Sequence, residues 1–211
     1  MDEIEKELRS GVRKIITRFT PESAPGECGG FQSSSHPDRE FVFGLSGSSR
    51  YMFNHSVYDF EPGTLFLIDH WVPHAFGYRA IDRDLLHLWG VLLPDGTMTA
   101  SILHVGMNGC YRLHMRRLYF PVGLAEWLIR RWDSLSGLEA PGDDAVRRSL
   151  LAPFNAMLDE TAFQLFPLSG TARQHSGGNA DAVVEQLKNY IRTRIGRDCS
   201  LEHLEQISGY S

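Results

Sequence analysis

The chain predicts an α+β protein in which a β-rich barrel comes first and helices follow. Three observations carry this. Between residues 39 and about 108, short apolar runs alternate with turn residues at roughly ten-residue spacing, as in sandwiches and barrels. The run Thr64–Ile68 is bounded by Pro62-Gly63 and Pro73-His74, the mark of a strand buried on both faces. Beyond residue 120 the apolar period changes: Ala125, Leu128, Ile129, Trp132 and Leu135 fall on one helical face.

The elements follow in order. Residues 2–10 read as a short helix with Ile4 and Leu8 on one face, and Gly11 is its expected end. Residues 12–19 fit either a strand or a continuation of that helix, and periodicity does not choose between them. The Pro-, Gly- and Ser-rich stretch 20–38 reads as loop with at most one short strand. Strands are expected at Glu40–Ser46, Arg50–Asn54, Thr64–Ile68, His74–Tyr78 and Leu85–Leu92. Alternation places Phe41, Phe43 and Leu45 on the face opposite Glu40, Val42 and Gly44. A second long helix starts at Asp143 and carries Val146, Leu150, Phe154, Met157, Leu158, Thr161 and Leu165 on its apolar side. Pro153 is expected to kink or split it. Residues 167–180 read as a linker. A further helix over Asp181–Ile195 and a short one capped by Ser200 complete the chain.

Bulk properties exclude several classes. The 211 residues suffice for a sizeable core, and 42% hydrophobic with 22% charged residues is ordinary globular composition. The net charge of −5 gives no basic signature for bulk nucleic-acid binding. Cys28, Cys110 and Cys199 are scattered without metal spacing, which fits a reducing, cytoplasmic setting. The charged N-terminus lacks a signal-peptide core, and no apolar run is long enough for a membrane span.

Candidate site residues gather on the β segment. His36, Glu40 and His74 offer two imidazoles and a carboxylate, a set that can form a facial triad on a divalent metal. Tyr51, His87 and Trp89 add aromatic and polar lining, and His70 and Trp71 lie in the bend before His74, as lip residues. The ordinary alternative is that Glu40 pairs with Arg39, Arg50 or another base. The helical segment holds no catalytic pairing. Its arginine pairs read as solvated faces, and its apolar stripes leave room for a helix-on-helix dimer contact.

These spacings resemble the two cupin motifs. His36 lies four residues before Glu40, Glu40 is followed by six residues and Gly47, and Gly63 lies eleven before His74. On that resemblance His36, Glu40 and His74 occupy three of four metal-ligand positions. Ser34 stands in place of the fourth, and Asp69, Trp71 and Tyr78 replace other motif residues. The resemblance implies a cupin-like barrel over 1–108. The substitutions favour a binding pocket with no resident cofactor, and any metal held there would take His36, Glu40 and His74.

The C-terminal stretch resembles the opening of the AraC-type DNA-binding domain. Tyr190-Ile191, Ser200-Leu201, Leu204, Gly209 and Ser211 match its pattern, while Glu205 departs from the small residue expected there. Glycine between two such helices takes the positive φ of the sharp turn. The resemblance implies a helical dimerisation segment at 109–170, a linker at 171–180 and the beginning of a helix-turn-helix domain at 181–211. That match stops at the first recognition helix, so the chain itself is expected not to bind an operator specifically. The implied function is a ligand-responsive transcriptional regulator and not an enzyme. Its implied partners are a small-molecule effector such as a sugar or aromatic compound, a second copy of the chain, and promoter DNA for the full-length protein. A metal-dependent cupin enzyme, an oxygenase or isomerase, is the rival reading.

Overall fold

The computed structural model describes residues 3–18, 32–76, 79–93, 96–109, 111–113, 118–136 and 142–166. The linker 171–180, Tyr78 and the residues Ser200, Leu204, Gly209 and Ser211 lie outside the described residues.

In chain order the elements are α1 (Glu3–Ser10), β1 (Lys14–Arg18), β2 (Gln32–Ser34), β3 (Arg39–Ser46), β4 (Ser49–Phe53), β5 (Ser56–Phe60), β6 (Thr64–Ile68), β7 (His74–Phe76), β8 (Leu85–Leu92), β9 (Met98–Val105), β10 (Tyr111–Leu113), β11 (Leu118–Tyr119), α2 (Val122–Ser136) and α3 (Asp143–Leu165). Among the described residues the strands form two sheets. The larger has the order β1-β6-β3-β8-β9-β10, with β11 also on β9, and the smaller has the order β2-β7-β4-β5. Pairing in the larger sheet is antiparallel except between β1 and β6, which run parallel.

Burial resolves these sheets into layers. Val42, Phe66, Ile68 and Leu85 of the large sheet pack with Tyr51, Phe53 and Phe60 of the small one. The other face of the large sheet, with Phe41, Phe43, Leu45, Leu65, Leu67 and Leu88, shares a core with α1, α2 and α3. β3 is therefore buried along its whole length, with one face toward each layer. The alternation expected for Phe41, Phe43 and Leu45 against Glu40 and Val42 is the one observed. The fold is α+β and sheet-rich, with helices on one face of a sandwich. No helix among the described residues is long and apolar enough to cross a membrane.

Several elements differ from expectation for physical reasons. Gly11 takes φ +74°, so α1 stops there and β1 follows; a continuous helix through residue 19 is excluded. An added Cβ at Gly11 would sit 2.8 Å from Asn155 Oδ1, which accepts a hydrogen bond from the Val12 amide. Pro153 does not split α3, which runs unbroken from Asp143 to Leu165. The missing N–H and ring clash of a mid-helix proline are offset by the burial of Leu150, Phe154, Met157 and Leu158. β5 carries no apolar run because it is the outer strand of the small sheet, with Ser56, Val57 and Asp59 exposed. In β9, Ala100 and Ser101 dilute the apolar signal, yet Met98, Ala100 and Ile102 all face the helices. The expected strand Arg50–Asn54 is shifted by one residue to Ser49–Phe53, because Asn54 and His55 form a turn with φ +47° and +62°.

One close approach holds the layers in place. Phe41 lies opposite Gly90 in the β3–β8 register, and its ring covers that glycine. A Cβ at Gly90 would lie 2.0 Å from Phe41 Cζ. The same ring meets Phe154 of α3 edge-on, with centroids 5.5 Å apart. Gly90→Ala is expected to lower the unfolding free energy by about 1–3 kcal/mol through overpacking. A urea melt checks this, and an unchanged midpoint would show that Phe41 moves aside freely.

Candidate metal and ligand site

The site is built where the two sheets meet. Glu40 is the second residue of β3 and pairs in register with Ile68 of β6 and Val91 of β8. After Ile68 the chain leaves the large sheet, bends through Asp69–Pro73 and enters the small sheet at His74. His36 precedes β3 in the segment between β2 and β3. The bend is fixed by backbone bonds: Val72 N donates to Asp69 O at 3.2 Å, Trp71 N to His36 O at 2.9 Å, and Asn54 N to Pro73 O at 2.7 Å. Trp71 accommodates the turn with φ +62°.

These constraints bring His36, Glu40 and His74 together. His36 Nε2 lies 3.3 Å from Glu40 Oε1, and His74 Nε2 lies 3.5 Å from Glu40 Oε2. The two imidazoles meet edge to face, with centroids 5.0 Å apart. One ligand atom from each of the three residues falls within 4.8 Å of the others. Glu40 is 5% exposed and His74 1%, while His36 is partly covered. Of the ordinary partners expected for Glu40, Arg39 reaches the opposite face, and the bases that Glu40 meets are His36 and His74.

Charge at the site follows from this contact. Burial alone would raise the Glu40 pKa, but hydrogen bonding and charge from His36 and His74 outweigh it and hold the group down at about 2. The His36 pKa is raised, chiefly by its hydrogen bond to Glu40, against the opposing effect of burial. His74 Nδ1 lies 2.9 Å from Val72 O, a carbonyl that can only accept, so Nδ1 carries a hydrogen. Nε2 is then the atom that meets the Glu40 carboxylate. That approach is stabilised by a proton on Nε2 or by a cation between the two groups.

The same arrangement fits a divalent metal. A ligating histidine characteristically donates its other ring N–H to a carbonyl, which orients the ring. The donor set is two neutral nitrogens and one carboxylate, and it suits iron, manganese, nickel or zinc with positions left open. His36, Glu40 and His74 would hold the ion. Ser34 pairs directly with His74 across β2 and β7. Its hydroxyl is buried and has no hydrogen-bond partner among the described residues.

The remaining candidates are distributed around this centre. Trp89 lies opposite Val42, one pleat along from Glu40 on the same face, and is partly buried. His87 lies opposite Gly44, two pleats from Glu40, which places it roughly 13 Å along the strand. It is fully enclosed near Phe60, and burial pushes its pKa down to about 3. Tyr51 belongs to the inter-sheet core, its ring 4.6 Å from that of Phe66. His70 and Trp71 are at the lip: Trp71 is 57% exposed, and the His70 side chain reaches the Pro37 carbonyl. So three of the eight candidates converge, one lies beside them, two form the rim, and Tyr51 and His87 sit deeper between the sheets.

Sequence reasoning overlooked what holds the site from behind. Arg39 Nε donates to Asp69 Oδ1 at 2.7 Å, Arg39 Nη1 to Asp133 Oδ1 at 2.5 Å and Arg39 Nη2 to Ser136 Oγ at 3.1 Å. The available signal was an arginine beside Glu40 and an aspartate ending an apolar strand.

Residues 22–84 match the family model described as cupin domain. No curated protein and no solved structure matches the chain. His36, Glu40 and His74 all fall inside the matched span. Residues 22–84 thus form a cupin-like region, and the buried histidine–carboxylate cluster belongs to it.

Proposed function

We propose that the chain is a ligand-responsive transcriptional regulator of the AraC type, in which the cupin-like region senses a small molecule. The observation that carries this reading is the placement of the His36–Glu40–His74 cluster. It lies where the sheets meet, while the other face of the same β3 strand is packed on α2 and α3. A ligand held there is one strand away from the helices. The resemblance of 181–211 to the opening of an AraC-type DNA-binding domain supplies the second support, and promoter DNA is the target it implies. Exposed Val122 and Phe163 on the two helices offer apolar surface to a second copy, consistent with a homodimer. On this reading the site recognises and does not catalyse.

A thermal-shift screen against sugars, aromatic acids and divalent metals tests it. An effector at 100 times its Kd stabilises by about 2.7 kcal/mol, a rise of roughly 5–10 °C in Tm. The rise is expected to disappear in Glu40→Gln and His74→Ala. An effector that stabilises these variants as well as the wild type binds elsewhere, and the reading fails.

A metal-dependent cupin enzyme is the second reading, favoured by the Nδ1–H of His74 oriented on Val72 O. A metal there would supply Lewis-acid polarisation of a bound oxygen. His36 and His74 would contribute imidazole nitrogens and Glu40 its charge. Metal analysis of protein purified without chelator separates the two. Stoichiometric metal lost in His74→Ala, together with turnover of a substrate, favours the enzyme.

A further inference from the structure

We infer that Arg39 and Asp69 are positioning residues that make helix α2 respond to the state of the His36–Glu40–His74 cluster. The inference deepens the sensor reading and rests on that cluster being a binding site.

Consecutive residues of a strand point to opposite faces. Glu40 therefore enters the cluster while Arg39 leaves on the helix side. There the guanidinium uses three nitrogens on three partners, Asp69, Asp133 and Ser136. Its carbon stands 5.5 Å from the centroid of the Trp132 ring. Asp69 is also fully engaged. Oδ1 accepts from Arg39 and from the His70 amide at 2.9 Å, and Oδ2 accepts from Ser136 Oγ at 2.6 Å. Trp132, Asp133 and Ser136 all belong to the last turns of α2. Arg39 and Asp69 are 8% and 3% exposed, so this pair is almost dry, while Asp133 at the α2 end is exposed.

All three cluster residues connect to the clip in one or two steps. Glu40 is the covalent neighbour of Arg39. His74 bonds to Val72 O, and Val72 N bonds to Asp69 O. His36 O receives the amide of Trp71, within the bend that Asp69 begins. A ligand that draws Glu40 and His74 together must shift the start of β3 and the 69–74 bend. Those are the two segments that Arg39 and Asp69 join to α2. Packed interfaces answer small displacements by changing arrangement rather than by stretching. Ser136 Oγ and the Asp133 carboxylate are the two places where α2 can release or engage.

The test is hydrogen exchange on the full chain, read at the amides of Val122–Ser136, with zinc or nickel ion alone as the probe. The decisive variant is the double substitution Asp133→Ala with Ser136→Ala, which cuts the hydrogen-bonded link to α2 and leaves the buried Arg39–Asp69 pair and its packing on Trp132 in place. In the wild type, metal binding followed by calorimetry is expected to slow exchange in α2 by about fivefold or more, the lower end of ordinary coupling. In the double variant the metal is expected to bind with similar affinity while α2 no longer responds. A full α2 response in the double variant overturns the inference. If the wild type takes up no metal, the metal reading of the cluster fails separately, and Glu40→Gln decides the inference instead. That substitution should alter α2 exchange in the wild type and not in the double variant, and an unaltered α2 in both backgrounds overturns it.

Discussion

Arg39→Met is expected to lower the unfolding free energy by about 3–5 kcal/mol, because it leaves a buried carboxylate without its counter-charge. Methionine fills much of the arginine volume, so the loss reports charge more than cavity. Asp69 keeps its bonds from the His70 amide and Ser136 Oγ, but both donors are neutral. Asp133 does not replace the lost partner, since it is acidic and exposed. Its own removal, Asp133→Ala, is expected to cost under about 1 kcal/mol, as for other solvent-screened pairs. The double substitution Arg39→Met with Asp69→Leu should recover most of the loss, since apolar replacement of a buried ion pair is often neutral or better. Urea melts of the four proteins decide it. Arg39→Met within about 1 kcal/mol of wild type would mean that water reaches the pair.

Acid is expected to destabilise the protein through His87, with an onset well above the carboxylate range. The imidazole is enclosed between the sheets, and burial lowers its folded-state pKa to about 3. Above pH ~6.5 the group is neutral both folded and unfolded and contributes nothing to the pH dependence. Below that value the unfolded chain takes up a proton that the folded chain refuses, so stability falls with falling pH. The loss grows by about 1.4 kcal/mol per unit and reaches roughly 2–3 kcal/mol at pH 4.5. It levels off only near pH 3. His36 acts in the other direction, because its raised pKa favours the folded state as pH falls toward the ordinary histidine range. Glu40, held at about 2, loses its contribution as pH falls from the ordinary carboxylate range toward 2, and so begins to matter near pH ~4.5. Glu40 is common to both proteins, so the difference in slope between wild type and His87→Gln from pH 5.5 to 4.5 isolates His87. Denaturant melts across it should show a clear slope in the wild type and a flatter one in His87→Gln. Equal slopes in both proteins would show that His87 is protonated inside the fold.

Local signals account for what could be read from the chain itself. Pro62-Gly63 and the run behind it located β6, and strict alternation predicted which face of β3 Glu40 shares with Val42. The spacing of His36, Glu40 and His74 was enough to place them together, because each sits at or beside a strand end whose pairing brings it inward. Tyr51 and His87 show the limit of that logic. Being aromatic or titratable on the correct strand does not say how far along it the site lies; only the register against β3 and β7 does. The Arg39 clip was illegible for a different reason. Its partners are separated by 30 and 94 residues, and no local pattern links the end of one strand to the last turn of a distant helix. The exposed outer strand β5 was missed because nothing about it has to be apolar.

The double burial of β3 also bears on how such a protein can diversify. A strand with one wet face can change half its residues at little cost, whereas β3 offers none that is free: Glu40 and Val42 meet the small sheet's layer, and Phe41, Phe43 and Leu45 meet the helices. Descendants that acquire a new ligand preference must leave this strand nearly unchanged. Variation is easier at the rim, where the Trp71 side chain faces solvent and the His70 side chain makes a single hydrogen bond among the described residues, with the Pro37 carbonyl. Drift in specificity should therefore be written at positions 70 and 71 of the bend, around a β3 that stays the same.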